Sequence, residues 1–260
     1  MAAGSSATLE VSSGAIWFGG APCGAATTTN TDTINIAGHV GTVEDLVVSM
    51  LGGEFAPGAT AEVSPNLSEI EINVSLGDTT DELTVAGTSG ADTIRLGQSG
   101  VNLNSDTDRD ISFAQVPNVV TIYGGSGNNT LSAKGGFGSG TIYLGKAVII
   151  NGDDGGLIQG GSGNDELQGG AGHEQIEGQN GDDTIDGGAG NDVLLGQGGN
   201  DTMTGGAGSD EFLGATGNDT MHANDGEADV TINGGSEVDT AFYDNGIDPN
   251  PVATENPIPS

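Results

Sequence analysis

Six aspartates, Asp165, Asp183, Asp192, Asp201, Asp210 and Asp219, are spaced by nine residues or multiples of nine, and Glu174 occupies another slot of the same register. Carboxylates repeated at a fixed spacing suit one chemistry above others, the capture of hard cations by oxygen ligands. The slots belong to seven consecutive nine-residue units between Gly160 and His222: GGSGNDELQ, GGAGHEQIE, GQNGDDTID, GGAGNDVLL, GQGGNDTMT, GGAGSDEFL and GATGNDTMH. Each unit starts with Gly and carries its acid at position six. Position eight is always apolar: Leu167, Ile176, Ile185, Leu194, Met203, Phe212 and Met221.

The elements that must position these acids follow from the same pattern. A Gly-rich run with Asn or Asp takes left-handed or tightly turned backbone at little steric cost. The three residues around position eight suit a very short strand with one side chain inward and its neighbours outward. Turn, strand, turn, strand then makes one flattened coil of two units, so residues eighteen apart stack in neighbouring coils. One column holds Asp165, Asp183, Asp201 and Asp219, and the opposite column holds Glu174, Asp192 and Asp210. The expected core is two files of single apolar side chains.

Stacked strands lie about 4.8 Å apart. Two carboxylates at that separation repel by roughly 1 kcal/mol in water and by several times more in a poorly solvated turn. A cation between them removes the conflict. Turn carbonyls and carboxylates are hard ligands, and no thiolate or imidazole set accompanies them. Ca²⁺, which accepts about six to eight oxygens in flexible geometry, fits better than strictly octahedral Mg²⁺. One buried side chain per unit returns little against the entropy of ordering nine residues. The repeat region is therefore expected to be largely unfolded without metal.

The units are similar to the calcium-binding nonapeptide G-G-x-G-x-D-x-U-x of the repeats-in-toxin (hemolysin-type) family of bacterial secreted proteins. The resemblance implies an all-β, right-handed parallel β-solenoid (β-roll), with several Ca²⁺ ions held between successive turns by Asp side chains and loop carbonyls. It also implies a secreted or cell-surface protein, exported unfolded by a one-step system that reads the C-terminal end. The likeness covers Gly160–Phe242 firmly and Gly77–Tyr143 loosely. In the loose part, GDTTDELTV (77–85) and GTSGADTIR (87–95) place Asp81 and Asp92 in the acid slot. GGSGNNTLS (124–132) has Asn129 there, and GGFGSGTIY (135–143) has Gly140. After His222 the register slips: GGSEVDTAF (234–242) restores the pattern with Asp239 twenty residues after Asp219, so ANDGEADVTI holds a small insertion. The metal-ligand candidates are Asp92, Asp165, Glu174, Asp183, Asp192, Asp201, Asp210, Asp219 and Asp239.

The rest of the chain reads as support for this stack. Short strands are expected around 9–11, 15–18, 32–38 and 44–51, with EDLVVSML (44–51) a strand because of its β-branched pair. Trp17 and Phe18 are expected to cap one end of the core, since a solenoid needs an atypical terminal unit. Strands at 101–104, 111–116, 118–124 and 147–152 are expected to fill rungs of a continuous stack. This gives an irregular capping region (1–67), degenerate coils (68–150), a regular calcium-binding β-roll (151–245) and a Pro-rich tail (246–260).

Composition narrows the function. The net charge is −33, from 37 acidic against 4 basic residues (Arg95, Arg109, Lys134, Lys146). Nucleic acid is an improbable partner for such a chain, and neither a membrane-spanning stretch nor a signal peptide is evident. The single Cys23 can form no internal disulfide. GTIYLGKA (140–147) has Ala147 where a phosphate loop needs Ser or Thr, and its TIYL interior reads as strand, so nucleotide binding is rejected. DTDRDIS (106–112) lacks the Gly and Glu of an EF-hand loop. H-E-x-x-H and G-x-S-x-G are absent, and His39, His173 and His222 have no ligand spacing, with His173 and His222 expected at the surface. The expected function is therefore non-enzymatic: a calcium-folded structural or adhesin-like module, with self-association or a surface or matrix polysaccharide as partner. Two alternatives differ in kind. The four basic residues near Asp92, Asp106, Asp108 and Asp110 would make a lyase or epimerase groove for acidic polysaccharide if they shared one face. The stacked Thr184, Thr202 and Thr220 would suit ice binding if the array were regular.

Overall fold

A computed structural model describes residues 6–13, 15–27, 33–37, 45–50, 71–76, 81–103, 110–114, 117, 119–135, 139, 141–152, 155–254 and 256–259. Every helix or strand among them is a strand. The N-terminal set is β1 (Ser6–Ser12), β2 (Ala15–Phe18), β3 (Ala21–Thr27), β4 (Thr33–Ala37), β5 (Asp45–Ser49) and β6 (Glu71–Ser75). The middle set is β7 (Glu82–Ala86), β8 (Thr93–Gly97), β9 (Gly100–Asn102), β10 (Ile111–Phe113), β11 (Val119–Tyr123), β12 (Asn129–Ser132), β13 (Lys146–Ile150) and β14 (Gly156–Gln159). The repeats supply β15 (Glu166–Gln168), β16 (Glu174–Asn180), β17 (Thr184–Ala189), β18 (Val193–Gly198), β19 (Thr202–Ala207), β20 (Glu211–Thr216) and β21 (Thr220–Ala223). Beyond them lie β22 (Thr231–Ser236), β23 (Thr240–Tyr243) and β24 (Asn256–Pro259).

Outside β1–β3, β8–β10 and β23–β24, successive strands alternate between two walls. The first wall runs β24-β23-β21-β19-β17-β15-β13-β11-β7-β5-β1-β2-β3, and the second β22-β20-β18-β16-β14-β12-β8-β9-β10-β6-β4. In the repeats all pairing is parallel and in the eighteen-residue register: Leu167 lies beside Ile185, Ile185 beside Met203, and Ile176 beside Leu194. The molecule is a parallel β-solenoid, as the nine-residue period implied.

The core changes character along the stack. From β5 to β13 each first-wall strand turns two apolar residues inward: Leu46 and Val48, Leu83 and Val85, Val120 and Ile122, Ala147 and Ile149, all buried. From β15 to β19 only one remains per first-wall strand, Leu167, Ile185 and Met203, before β21 and β23 again bury two each, Met221 with Ala223 and Ala241 with Tyr243. The opposite wall supplies Ile176, Leu194, Phe212 and Ile232. Half the apolar burial per coil has gone, and with it about half the hydrophobic stabilisation that scales with area.

β1, β2 and β3 form an antiparallel meander at the end of the first wall, with Trp17 and Phe18 half-buried on β2. Two expectations need correction. The segment at 101–104 is not a parallel rung, because β9 folds back antiparallel on β8 and also pairs antiparallel with β10. TIYL (141–144) is not a strand. Tyr143 is instead fully buried and donates its hydroxyl to the carbonyl of Pro117 at 2.6 Å, which takes it out of the outward alternation a strand would impose. The Pro-rich tail joins the stack: β24 pairs in parallel with β23, and the amide of Asn256 donates to the carbonyl of Asp239.

From the third repeat on, the turns take left-handed backbone at positions two and four, and three non-Gly residues meet it at position two, Gln179 (φ 82°), Gln197 (φ 75°) and Ala215 (φ 81°). At position four, Gly199 has φ 129°, and an added Cβ would run into the carbonyl oxygen of Gly181 in the coil above. Gly199→Ala is expected to lower the stability of the calcium-loaded protein by about 2 kcal/mol or more. Urea unfolding at saturating calcium checks this, and an unchanged midpoint would show that the turn tolerates the side chain.

Candidate metal centres

The acid slot faces inward. Position one of the same unit is Gly, and its φ is ordinary, so left-handed backbone is not its purpose. A Cβ on Gly178, Gly187, Gly196 or Gly214 would instead strike the Oδ2 of Asp183, Asp192, Asp201 or Asp219 respectively. Each aspartate thus folds its carboxylate into the space left by a missing side chain. Gly87 stands in the same relation to Asp92, and Gly169 to Glu174.

Both predicted columns form. The amide of Asp165 donates to Oδ1 of Asp183 at 2.8 Å, Asp183 to Asp201 at 2.8 Å, Asp201 to Asp219 at 2.9 Å, and Asp219 to Asp239 at 2.8 Å. Opposite, the amides of Glu174, Asp192 and Asp210 donate to Oδ1 of Asp192, Asp210 and Asp229, each at 2.8 Å. One oxygen of each acid therefore splints the turn above it. The other oxygen has no such use: Oδ2 of Asp183, Asp192, Asp201 and Asp219, and Oε2 of Glu174, are buried without a hydrogen-bond donor. A buried acceptor without a partner is costly, and a buried anion more so.

The cost is visible in the acidities. Loss of hydration pushes the Asp183 carboxyl up to about 8, helped by the charges of Asp165, Asp201 and Asp182. Desolvation also lifts Asp192 to about 7, with Glu174 and Asp210 adding to it. Asp165, Asp201 and Asp219 rise to about 6 and Asp229 to about 7, with burial the main cause in each. Glu174 and Asp210 shift the same way.

These residues fit a hard divalent cation. The donorless oxygens lie in file, and turn carbonyls such as those of Gly163, Gly181 and Gly199 point along the stack at the next turn. The set is all oxygen. Carboxylate pairs plus carbonyls, rather than clusters of three or more acidic, Cys or His side chains, supply it among the described residues. When bound, Ca²⁺ would neutralise the facing carboxylates and accept their free oxygens. Asp183, Asp192, Asp201, Asp210, Asp219 and Glu174 would hold it.

Other assignments sort differently. Asp92 heads the second-wall column, but its Oδ2 accepts from the amide of Thr88 at 2.9 Å and from the Thr88 hydroxyl. Asp239 lies under Asp219 despite the twenty-residue step. Two ligand-column residues escaped the sequence reading, Asp229 and Asp248. Asp229 sits nineteen residues after Asp210, and the amide of Asp229 donates to Oδ1 of Asp248 at 3.1 Å. The strand after Asp229 nevertheless pairs at a spacing of twenty, Glu211 with Thr231. Val230 is the extra residue, pushed into solvent, and it hides the acid from a nine-residue count. Position five was also missed: Asn164, Asp182 and Asn200 accept from the amides of Asp182, Asn200 and Asn218 in the coil below. His173, exposed as expected, plays the same part, its Nδ1 accepting from the amide of Asn191 at 2.6 Å. The ladders at positions five and six run in opposite directions and tie each coil to both neighbours.

The basic residues do not gather on one face. Arg95 lies on β8 and Lys134 follows β12, both on the second wall, where Lys134 meets Glu177 at 3.6 Å. Lys146 begins β13 on the first wall and pairs with Glu166 at 2.9 Å. Arg109, Asp106 and Asp108 lie outside the described residues. The threonine file runs Thr184, Thr202, Thr220 and Thr240, but the outward file beside it is mixed: Asp186, Thr204, His222 and Phe242. His222 is half-buried, stacked on Phe242 at 4.8 Å.

Two walls of parallel strands joined by turns that bury carboxylates in columns define a calcium-binding β-solenoid. Sequence comparison agrees: the family model for the RTX calcium-binding nonapeptide repeat matches residues 120–139, 150–185, 177–212, 186–221 and 204–227, and these segments are RTX repeats. No curated protein and no solved structure gives a significant match to the chain.

The raised pKa values fix a pH dependence. Carboxylates titrate near 4 in an unfolded chain, whereas Asp183 and Asp192 in the metal-free fold do so at about 8 and about 7. The metal-free coils are therefore most stable below roughly pH 4 and lose that stability as pH rises through about 6 to 8. Circular dichroism in chelator should show more β signal at pH 5 than at pH 8. The calcium midpoint should move to lower calcium as pH rises, because protons compete for the same oxygens.

Proposed function

We propose that the chain is a secreted or cell-surface structural module of a bacterial protein, whose repeat coils close when they meet extracellular calcium. The observation that carries this reading is the set of buried carboxylate oxygens without donors, in a stretch with no Lys or Arg after Lys146 to balance them. At low calcium, repulsion along the two columns holds the turns apart and keeps the chain in a state suited to export. Outside the cell, where calcium modules bind at roughly 10⁻⁴–10⁻³ M, the same carboxylates become the cross-links. The role is mechanical: a stiff acidic rod, carried as part of an adhesin, surface layer or matrix protein. At its C-terminal end, Pro257 and Pro259 in the outermost strand lack the N–H groups that another strand would need. Continued strand stacking at that end is thereby opposed, which favours display of the rod over end-to-end growth there.

A calcium titration followed by far-UV circular dichroism tests the reading. We expect a cooperative gain of β signal that magnesium does not reproduce, with the midpoint for Asp201→Ala displaced to roughly tenfold higher calcium, about 1.4 kcal/mol. A full β spectrum in chelator at pH 8 would overturn it.

A further inference from the structure

We infer that calcium dependence starts at the first repeat coil, and that the coils before it are closed by side-chain amides and apolar packing instead of metal. The inference rests on the calcium reading of the repeats. On the second wall, the slot that holds Asp192 and Asp210 lower down is occupied higher up by Asp92, Asn129 and Gly156, with Glu174 next in line. The amide of Asp92 donates to Oδ1 of Asn129 at 2.8 Å, and Nδ2 of Asn129 donates to Oδ1 of Asn151 at 2.8 Å. Gly156 has no side chain, and the Asn151 side chain takes up the relay there: its Nδ2 donates to the Gly155 carbonyl at 2.9 Å and to Oε1 of Glu174 at 3.2 Å. Asn129 and Asn151 are both buried, 1% and 5% exposed. A carboxylate can only accept, so a file of them leaves one oxygen each for a cation. An amide accepts on one side and donates on the other, so it passes the connection down the stack without net charge. The first donorless oxygen in this file is Oε2 of Glu174, where the amides end.

The first wall changes at the same level by a different means. Its inward file runs Leu46, Leu83, Val120 and Ala147, all apolar and buried. The next residue in that file is Asp165, whose Oδ1 accepts from the amide of Ala147 at 2.7 Å and whose Oδ2 accepts from the amide of Gly161 at 2.6 Å. Asp183, Asp201 and Asp219 follow, each with Oδ2 unpaired. Above the junction the file contributes hydrophobic stabilisation, and below it the file contributes repulsion until a cation arrives. The family match at residues 120–139 spans Asn129, so likeness of pattern there does not carry the metal with it. The metal-free chain is accordingly half-folded: a stable stump from β7 to β14 on which the repeat coils assemble.

Hydrogen–deuterium exchange of the full chain, read peptide by peptide in chelator and in millimolar calcium at pH 7.5, tests this. Peptides within 82–158 should be protected in both conditions, and peptides within 165–243 should gain at least about tenfold protection with calcium. Fast exchange of both regions in chelator would overturn the inference while leaving the calcium reading of the repeats intact. Protection of both regions in chelator would overturn the calcium reading, and the boundary with it. The variant Asn151→Asp replaces the relay by a second anion beside Glu174. It should lose protection in 119–158 in chelator and regain it in calcium. Wild-type protection in chelator, or a loss that calcium does not reverse, would show that the amide is not standing in for metal.

Discussion

A carboxylate oxygen buried without a donor is the constraint from which the rest of this molecule follows. In each repeat coil one oxygen of the acid does ordinary work, fixing the turn above through that turn's amide. In Asp183, Asp192, Asp201 and Asp219 its partner oxygen is enclosed beside the position-one glycine and has no donor. Such an atom favours protonation or cation binding over the bare anion, and the raised pKa values express that preference. The bare anion is thus disfavoured in the closed coil at neutral pH, and a cation between the columns would remove that penalty.

The coil geometry supplies this constraint and is limited by it. The carboxylate takes the inward place that Leu83 and Val120 hold in β7 and β11, so β15, β17 and β19 each bury one apolar residue where those strands bury two. Less hydrophobic burial leaves a larger share of the stability to the ion. Left-handed backbone at positions two and four brings successive turns into contact so close that a single Cβ would overlap the carbonyl above. The position-five ladder uses the remaining turn amides. The ends are treated separately, by an antiparallel meander at one and a proline-bearing strand at the other. An open coil edge presents unpaired backbone groups that another strand could pair with, and the prolines of β24 remove some of those donors.

The repeat coils were legible residue by residue. Glycine at position one, an acid at six and an apolar residue at eight specify the eighteen-residue register, and the two carboxylate columns and two core files lie where that register puts them. Asp229 was hidden because Val230 adds one residue between the acid and its strand, so that acid and strand no longer share one spacing. Antiparallel β9 and the irregular path around Tyr143 were also out of reach. Their alternation and glycine content do not distinguish a rung from a hairpin, and the choice falls to packing against distant strands.

By itself, then, the sequence determined that this protein is a stack of nine-residue units with acids in columns and a calcium-type oxygen chemistry, since a strict period admits only one register. Only the tertiary structure decided which of those acids lack a partner. Thr88 satisfies Asp92, and the amides of Ala147 and Gly161 satisfy Asp165, whereas Asp183 and Asp201 keep an oxygen free. That difference depends on what lies in the adjoining coils, at separations such as the eighteen residues between Ala147 and Asp165, and local sequence does not encode it.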